Sequence, residues 1–298
     1  MRDAAGVRLL AAKATRESSG HAASSVLGAR NAMKAPNLGS AWRYRHFILS
    51  SIRAEFRARF VRSRLGGAWM IVHPLAQAAI FALVLAGVMG AKLPGMGNDR
   101  FAYALYLLSG MLGWSLFADV VTRCLTLFID NATLMKKMMF PRICLALIAA
   151  GSALVNNVLL FLAVLLLFAV LGHPPGLYTL WVPGLTLLTL CVGLGIGLML
   201  GVFNVFVRDV GQVVPIVLQF GFWLAPIAYT REIVPAALQP FLNLNPITWV
   251  VEAYHDAMLY DRPPDFVVLG WLAAIAASLL AVALVLFRRA STEMVDVL

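Results

Sequence analysis

Arginine is the side chain with the most chemistry to offer in this sequence. Arg43, Arg45, Arg53, Arg57, Arg59, Arg62 and Arg64 fall in one short stretch whose only acid is Glu55. Guanidinium groups present planar forks of donors that match phosphate and carboxylate, so such a cluster suits anionic groups. A second charged constellation is Asp119 with Arg123, spaced i, i+4 in an otherwise apolar run. Ionisable groups at membrane depth mark transport pathways, but a pair near the end of a span reads first as a structural ion pair and only second as a proton relay. The five histidines, at positions 21, 46, 73, 173 and 255, are scattered, and only His73 falls within an apolar span. Cys124, Cys144 and Cys191 are far apart and odd in number, which leaves no disulfide framework and no CxxC metal site. Phosphate loop, HExxH and GxSxG patterns are all missing, and no span holds a cluster of acids. No catalytic residue and no metal site are therefore expected.

The elements that must position these groups are membrane helices. Apolar residues make up 61% and charged residues 13% of the 298, against about 45–50% and about 25% in soluble domains. The net charge of +10 could suggest nucleic acid, yet thirteen of the 24 basic residues precede residue 68, where anionic lipid is the better partner. Residues 1–40 are rich in Ala, Ser, Arg and Gly and read as a disordered cytoplasmic tail, with Met33 an alternative start. Residues 44–62 place Ile48, Ile52, Phe56 and Phe60 four apart, one apolar stripe among arginines. That pattern suits a helix lying in the headgroup layer; a solvated helix is the alternative.

Hydropathy then sets out six spans, at about 68–90, 101–122, 143–171, 177–203, 210–229 and 266–287. The 65 residues from Ile143 to Val207 carry no formal charge, and one helix of that length would measure about 98 Å. They must be two spans, broken at Gly172-His173-Pro174-Pro175-Gly176. Gly193, Gly195, Gly197 and Gly201 give the fourth span a small-residue face for close helix contact. Residues 231–265 are proline-rich yet too apolar for an ordinary loop. Ile247, Val250, Val251, Tyr254 and Met258 recur at helical spacing, predicting two half-depth helices broken at Asn245-Pro246. A surface loop with a packed helix is the alternative there. With six spans, basic residues divide 20 to 4 in favour of the side holding both termini, which places both ends in the cytoplasm.

An interior so poor in ionisable groups argues against ion-coupled transport, so energy must come from a partner on the cytoplasmic face. Residues 130–141 can form a short helix offering Leu134, Met135, Met138, Met139 and Phe140 beside Lys136 and Lys137. A Met-rich, basic helix is an adaptable protein contact, and an ordinary positive-inside loop is its alternative.

Four motifs now carry a resemblance. RARFVRSRLGGAWMIVHPLAQ resembles the RYRxSxLGxxWxxxxPL signature of ABC-2 type polysaccharide export permeases, and NATLMKKMMFPR that family's segment between spans two and three. NVFVRDV resembles its FRDV turn, and APIAY with Pro235 and NPITWVVEAYHDAML resembles its ending. The departures are His255, where arginine is common, and a longer N-terminal tail. The resemblance implies an all-α membrane protein of six transmembrane helices, with an N-terminal amphipathic interface helix and a re-entrant helical gate at 233–258 between spans five and six. It implies a homodimer in the bacterial inner membrane bound to two ABC ATPase subunits. ATP and Mg would be held by that partner, with no cofactor in this chain, no enzyme activity of its own and no nucleic acid. Residues 130–141 would be the coupling helix, docking the ATPase through Leu134, Lys136, Lys137, Met138, Met139 and Phe140. Substrate would be an undecaprenyl-diphosphate-linked polysaccharide, O-antigen first, with capsule or teichoic acid as alternatives. A membrane-embedded glycan-lipid polymerase or ligase is the alternative of another class. Arg57, Arg59, Arg62 and Arg64 would meet the lipid diphosphate, bulk lipid attraction being the alternative for each. Trp69, Trp114, Phe117, Phe220, Trp223, Tyr229 and Trp249 would line the channel, or else serve as belt and packing residues. Asn245 and Pro246 would break the gate.

Overall fold

The computed structural model describes residues 44–61, 68–81, 83–84, 101–137, 143–237, 239–290 and 293–294. Within them the chain is helical, with no strand. Helix α1 spans Arg45–Val61, α2 Trp69–Phe81, α3 Ala102–Asp130 and α4 Ala132–Lys137. Then follow α5 Ile143–Val170, a 3-10 turn Leu177–Trp181 leading into α6 Val182–Phe206, and α7 Val210–Leu224. After a 3-10 turn at Arg231–Ile233 come α8 Gln239–Leu244, α9 Pro246–Met258 and α10 Phe266–Ala290. The predicted tail, residues 1–40, lies outside the described residues.

Among the described residues four helices are long and apolar enough to cross a membrane: Ala102–Asp130, Ile143–Val170, Leu177–Phe206 and Phe266–Ala290. The chain is thus an all-helical, multi-pass membrane protein. At the predicted first and fifth spans stand the shorter apolar helices Ile71–Phe81 and Val210–Leu224. Helix α7 stops five residues before the expected Tyr229, with Ala225 extended at φ −94° and ψ 144°. The end coincides with Pro226, whose ring disfavours helical geometry in the residue before it. Helix α3 errs the other way, running past Thr122 to Asp130. Arg123 does not end it, because its charge is paired inside the protein. The predicted break after α5 is present, with Gly172 at φ 82° and His173 N–H donating to the Phe168 carbonyl at 3.0 Å. This six-to-one bond closes a helix end on a left-handed residue, a conformation glycine adopts without penalty.

Helices α3 and α6 form the centre. In their most apolar windows 72% and 61% of residues are buried, against 17% for α10, which therefore lies at the periphery. The glycine face of α6 makes the closest seam. A Cβ on Gly193 would stand 3.1 Å from Val120 Cβ and one on Gly197 2.8 Å from Cys124 Cβ, while one on Gly201 would strike the Cys124 carbonyl oxygen. Gly195 points the other way, toward Leu279 of α10. Small residues four apart thus set the α3–α6 distance by backbone contact, the packing available where lipid removes the hydrophobic driving force between helices.

Helix α9 packs on α3 nearer its N-terminus, where Gly110 and Gly113 meet His255 and Tyr254, and it also meets α6 through Tyr254 and Thr186. Ile247, Val250, Val251, Tyr254 and Met258, the predicted stripe, are all at most 4% exposed. Asn245 caps the helix, its Oδ1 accepting from Ile247 N–H at 3.1 Å, and Pro246 occupies the first turn, where its missing donor is harmless.

Candidate functional site

A cavity of about 720 Å³ opens between α2, α3, α5 and α7. Its described walls combine aromatic faces, Phe81, Trp114, Phe222 and Trp223, with the amides Gln77, Asn156, Asn157 and Gln219. The rings pack mutually edge to face, Trp114 on Phe222 at 6.1 Å and Phe222 on Trp223 at 5.5 Å between centroids. Gly221 permits this, since a Cβ there would come within 2.9 Å of the Trp114 ring. Two ionisable side chains appear on the described lining, His73 of α2 and Asp119 of α3.

Asp119 belongs to a charged cluster that joins three helices. Arg123 Nε donates to Asp119 Oδ1 at 2.7 Å, the predicted i, i+4 pair. Arg123 Nη1 also reaches Glu55 Oε1 of α1, at 2.5 Å. From α5, Ser152 Oγ donates to Glu55 Oε2 at 2.6 Å and Asn156 Nδ2 to Asp119 Oδ2 at 3.0 Å. One guanidinium thus joins two carboxylates, and each carboxylate's second oxygen is held by an i, i+4 partner on α5. Such pairing offsets the cost of withdrawing charges from water because each of the three charged groups is hydrogen-bonded. Beside it Ile52 of α1 fits against Gly151 of α5, where a Cβ would collide with it. The apolar stripe of α1 is therefore half-buried against protein at Ile48, Ile52 and Phe56, while Arg45, Arg53 and Arg57 are exposed.

At the other end of α3, tyrosines hold the non-helical residues that follow α7. Tyr103 donates its hydroxyl to the Ala228 carbonyl. Tyr106 shares its hydroxyl between the carbonyls of Pro226 and Tyr229, each at 2.8 Å. These bonds satisfy backbone acceptors that the proline break removed from the helix ladder. His255 of α9 stacks on Tyr106 at 3.8 Å between centroids, with Nε2 3.1 Å from the Tyr106 carbonyl oxygen. Burial pushes its imidazole well below the usual range, so it is neutral at pH 7 and donates from Nε2. Gly110 admits the ring, whose Nε2 would lie 2.7 Å from a Cβ at that position. Arg231 pairs with Glu252 at 3.1 Å and with Asn243, tying α8 to α9. Burial raises the Glu252 carboxyl above the ordinary range, and Arg231 partly offsets it.

With this geometry in place, the comparisons with known proteins decide the family. The family described as "ABC-2 type transporter" matches residues 47–259, well over half of the chain. The chain belongs to the ABC-2 type transporter family. It is similar to the O-antigen export system permease protein RfbA of Myxococcus xanthus, at 26% identity over 86% of this chain and 96% of that one. It is similar to RfbA of Klebsiella pneumoniae at 25% identity, over 69% and 77% of the two chains. The polysialic acid transport protein KpsM of Escherichia coli is 26% identical over 78% of this chain and 89% of its own.

The ABC-2 chain distributes its predicted site residues unevenly. Trp114 and Trp223 meet at the cavity, and Phe117 is buried beneath Trp114. Trp69 and Phe220 lie outside it, 53% and 67% exposed. Tyr229 and Trp249 are half-buried away from it. Arg57 is exposed on α1; the side chain of Arg59, and Arg62 and Arg64 entirely, lie outside the described residues. In α4, Leu134 and Lys136 are exposed and Met135 is buried, while Met138, Met139, Phe140 and the Lys137 side chain lie outside the described residues. Asn245 and Pro246 divide α8 from α9 as expected. Sequence reasoning missed Glu55 as a partner of Arg123, the paired Ser152 and Asn156, and the Tyr103–Tyr106 anchors. Two signals were available: a lone acid in an arginine-rich helix, and Asn156-Asn157 in a charge-free span.

Proposed function

We propose that this ABC-2 permease is the membrane subunit of an ATP-driven exporter that moves an undecaprenyl-diphosphate-linked polysaccharide, O-antigen first, across the bacterial inner membrane. The cavity is the observation that carries the reading. Sugar rings offer C–H faces that rest on Trp114 and Trp223, and hydroxyls that exchange hydrogen bonds with Gln77, Asn156 and Gln219. The two similar permeases named for O-antigen export support it.

In this reading two copies form a homodimer with two separate ATPase subunits, which bind ATP and Mg. Helices α2 and α7 stand as the first and fifth of six spans, and the 20-to-4 division of basic residues puts both termini in the cytoplasm. Helix α4 docks the ATPase through Leu134 and Lys136, continued by Lys137, Met138, Met139 and Phe140. Helices α8 and α9 form an outward-facing, re-entrant gate broken at Asn245-Pro246. Arg57, with Arg59, Arg62 and Arg64, meets the lipid diphosphate at the headgroup level. Capsule export is the second reading, favoured by the similarity to the polysialic acid transport protein.

Deleting the gene in its native host and restoring it with wild type or with Trp114→Ala, Trp223→Ala tests the proposal. Surface polysaccharide should vanish on deletion, return with wild type and stay low with the double variant at equal expression. Unchanged surface polysaccharide on deletion would sink the reading.

A further inference from the structure

The cavity shows its anion and hides its cation. The Asp119 side chain is 32% exposed and lies on the cavity lining, whereas Arg123 is 12% exposed and stands behind it, shared between Asp119 and Glu55. A carboxylate offers about four lone-pair directions, and Arg123 and Asn156 occupy two of them. Acceptor capacity is therefore left on the wall of a cavity that Gln77 and Gln219 also line. Among the described residues no lysine or arginine lines it.

We propose that Asp119 is a specificity-determining residue, making this cavity selective for neutral glycan and against glycan that carries a carboxylate or phosphate on each repeat. The inference rests on the glycan reading above and narrows it to uncharged polymers. A neutral sugar hydroxyl donates to the free Asp119 lone pairs while its ring lies on Trp114 or Trp223. A sialic-acid-like carboxylate at the same place meets a like charge in a site of reduced dielectric, where repulsion is several times that in water. It finds no compensating guanidinium, because both described bonds of Arg123 run to carboxylates already present. Charge repulsion of this kind discriminates by excluding the wrong ligand rather than by gripping the right one.

The test must read the cavity alone, since arginines of α1 bind any polyanion. A Gln77→Cys permease, in complex with its ATPase in nanodiscs, is alkylated with a neutral maleimide. The modified peptide is quantified by mass spectrometry against added neutral mannan oligosaccharide or polysialic acid oligomer of matched length. Mannan should protect the cysteine at a concentration at least about tenfold lower, a difference of about 1.4 kcal/mol. Adding Asp119→Asn should narrow the gap to within about threefold. Raising salt from about 0.1 M to about 1 M, which shortens the screening length from about 10 Å to about 3 Å, should narrow it without that substitution. Equal protection by both glycans, or a gap that survives both Asp119→Asn and high salt, overturns the charge inference alone. Protection by neither glycan overturns it together with the glycan reading.

Discussion

Replacing Arg123 by methionine removes the cation that Asp119 and Glu55 share. Methionine keeps most of the side-chain volume, so the loss is electrostatic. Deleting one partner of a buried ion pair costs about 3–5 kcal/mol, because the remaining charge stays desolvated. Asp119 and Glu55 are 32% and 31% exposed, which lets water relieve part of that cost and places the loss near 3 kcal/mol, at the low end of about 3–5. At roughly 2–4 °C per kcal/mol for a large domain, the melting temperature should fall by roughly 6–12 °C. The decisive comparison is the triple variant Arg123→Met, Asp119→Asn, Glu55→Gln. It has lost every bond to the guanidinium, yet it strands no charge, and its amides can still pair with Ser152 and Asn156. It should melt within about 4 °C of wild type, and so above the single variant, since neutral replacement of a buried ion cluster costs little. The assay is the monodisperse fraction in detergent after heating, read by size exclusion. A triple variant no more stable than Arg123→Met would refute the reasoning. The three residues would then contribute through geometry rather than through compensated charge.

Other predictions follow from single contacts. Gly201→Leu drives a side chain into the Cys124 carbonyl and should lower the yield of folded protein sharply, with overpacking costing about 1–3 kcal/mol or more. Gly184→Leu, with nothing within 4 Å of the added Cβ, should leave the yield unchanged in the same extraction. Tyr106→Phe keeps the stack on His255 but orphans the carbonyls of Pro226 and Tyr229, at about 1–3 kcal/mol. Maleimide labelling of Ala228→Cys should therefore quicken in that background. Leu134→Asp places a charge on the exposed face of α4 and should abolish co-purification of the ATPase, with the permease yield intact. Normal recovery of the complex would remove α4 from the docking surface.

The helices were legible because their signals are local. Asn245-Pro246 announced a break between two short helices, and the stripe from Ile247 to Met258 announced an amphipathic helix after it. Four glycines in one span announced a close seam, though not that three face α3 and one faces α10. Helix ends departed from the hydropathy runs where chemistry outranked hydropathy. Pro226 ended α7 although Ile227 and Ala228 are apolar, and α3 continued past Arg123 because Asp119 and the distant Glu55 pair its charge. The aromatic residues were the least legible part of the site. Trp114 and Phe117 are three apart on one helix, yet only Trp114 reaches the cavity, and Phe117 supports it from below.

The sequence by itself determined that this chain lies in a membrane, where its long apolar helices fall, and which motifs place it among ABC-2 permeases. Hydropathy, periodicity and helix termini are properties of neighbouring residues, so they survive without a fold. Tertiary structure alone decided that Glu55 meets Arg123 across 68 positions and that Tyr106 meets Pro226 across 120. It also decided that Asp119 rather than Arg123 faces the cavity. Those pairings depend on how far each helix rotates about its axis as it packs. That rotation is set by glycine seams and side-chain volumes drawn from several helices at once, which no local pattern encodes.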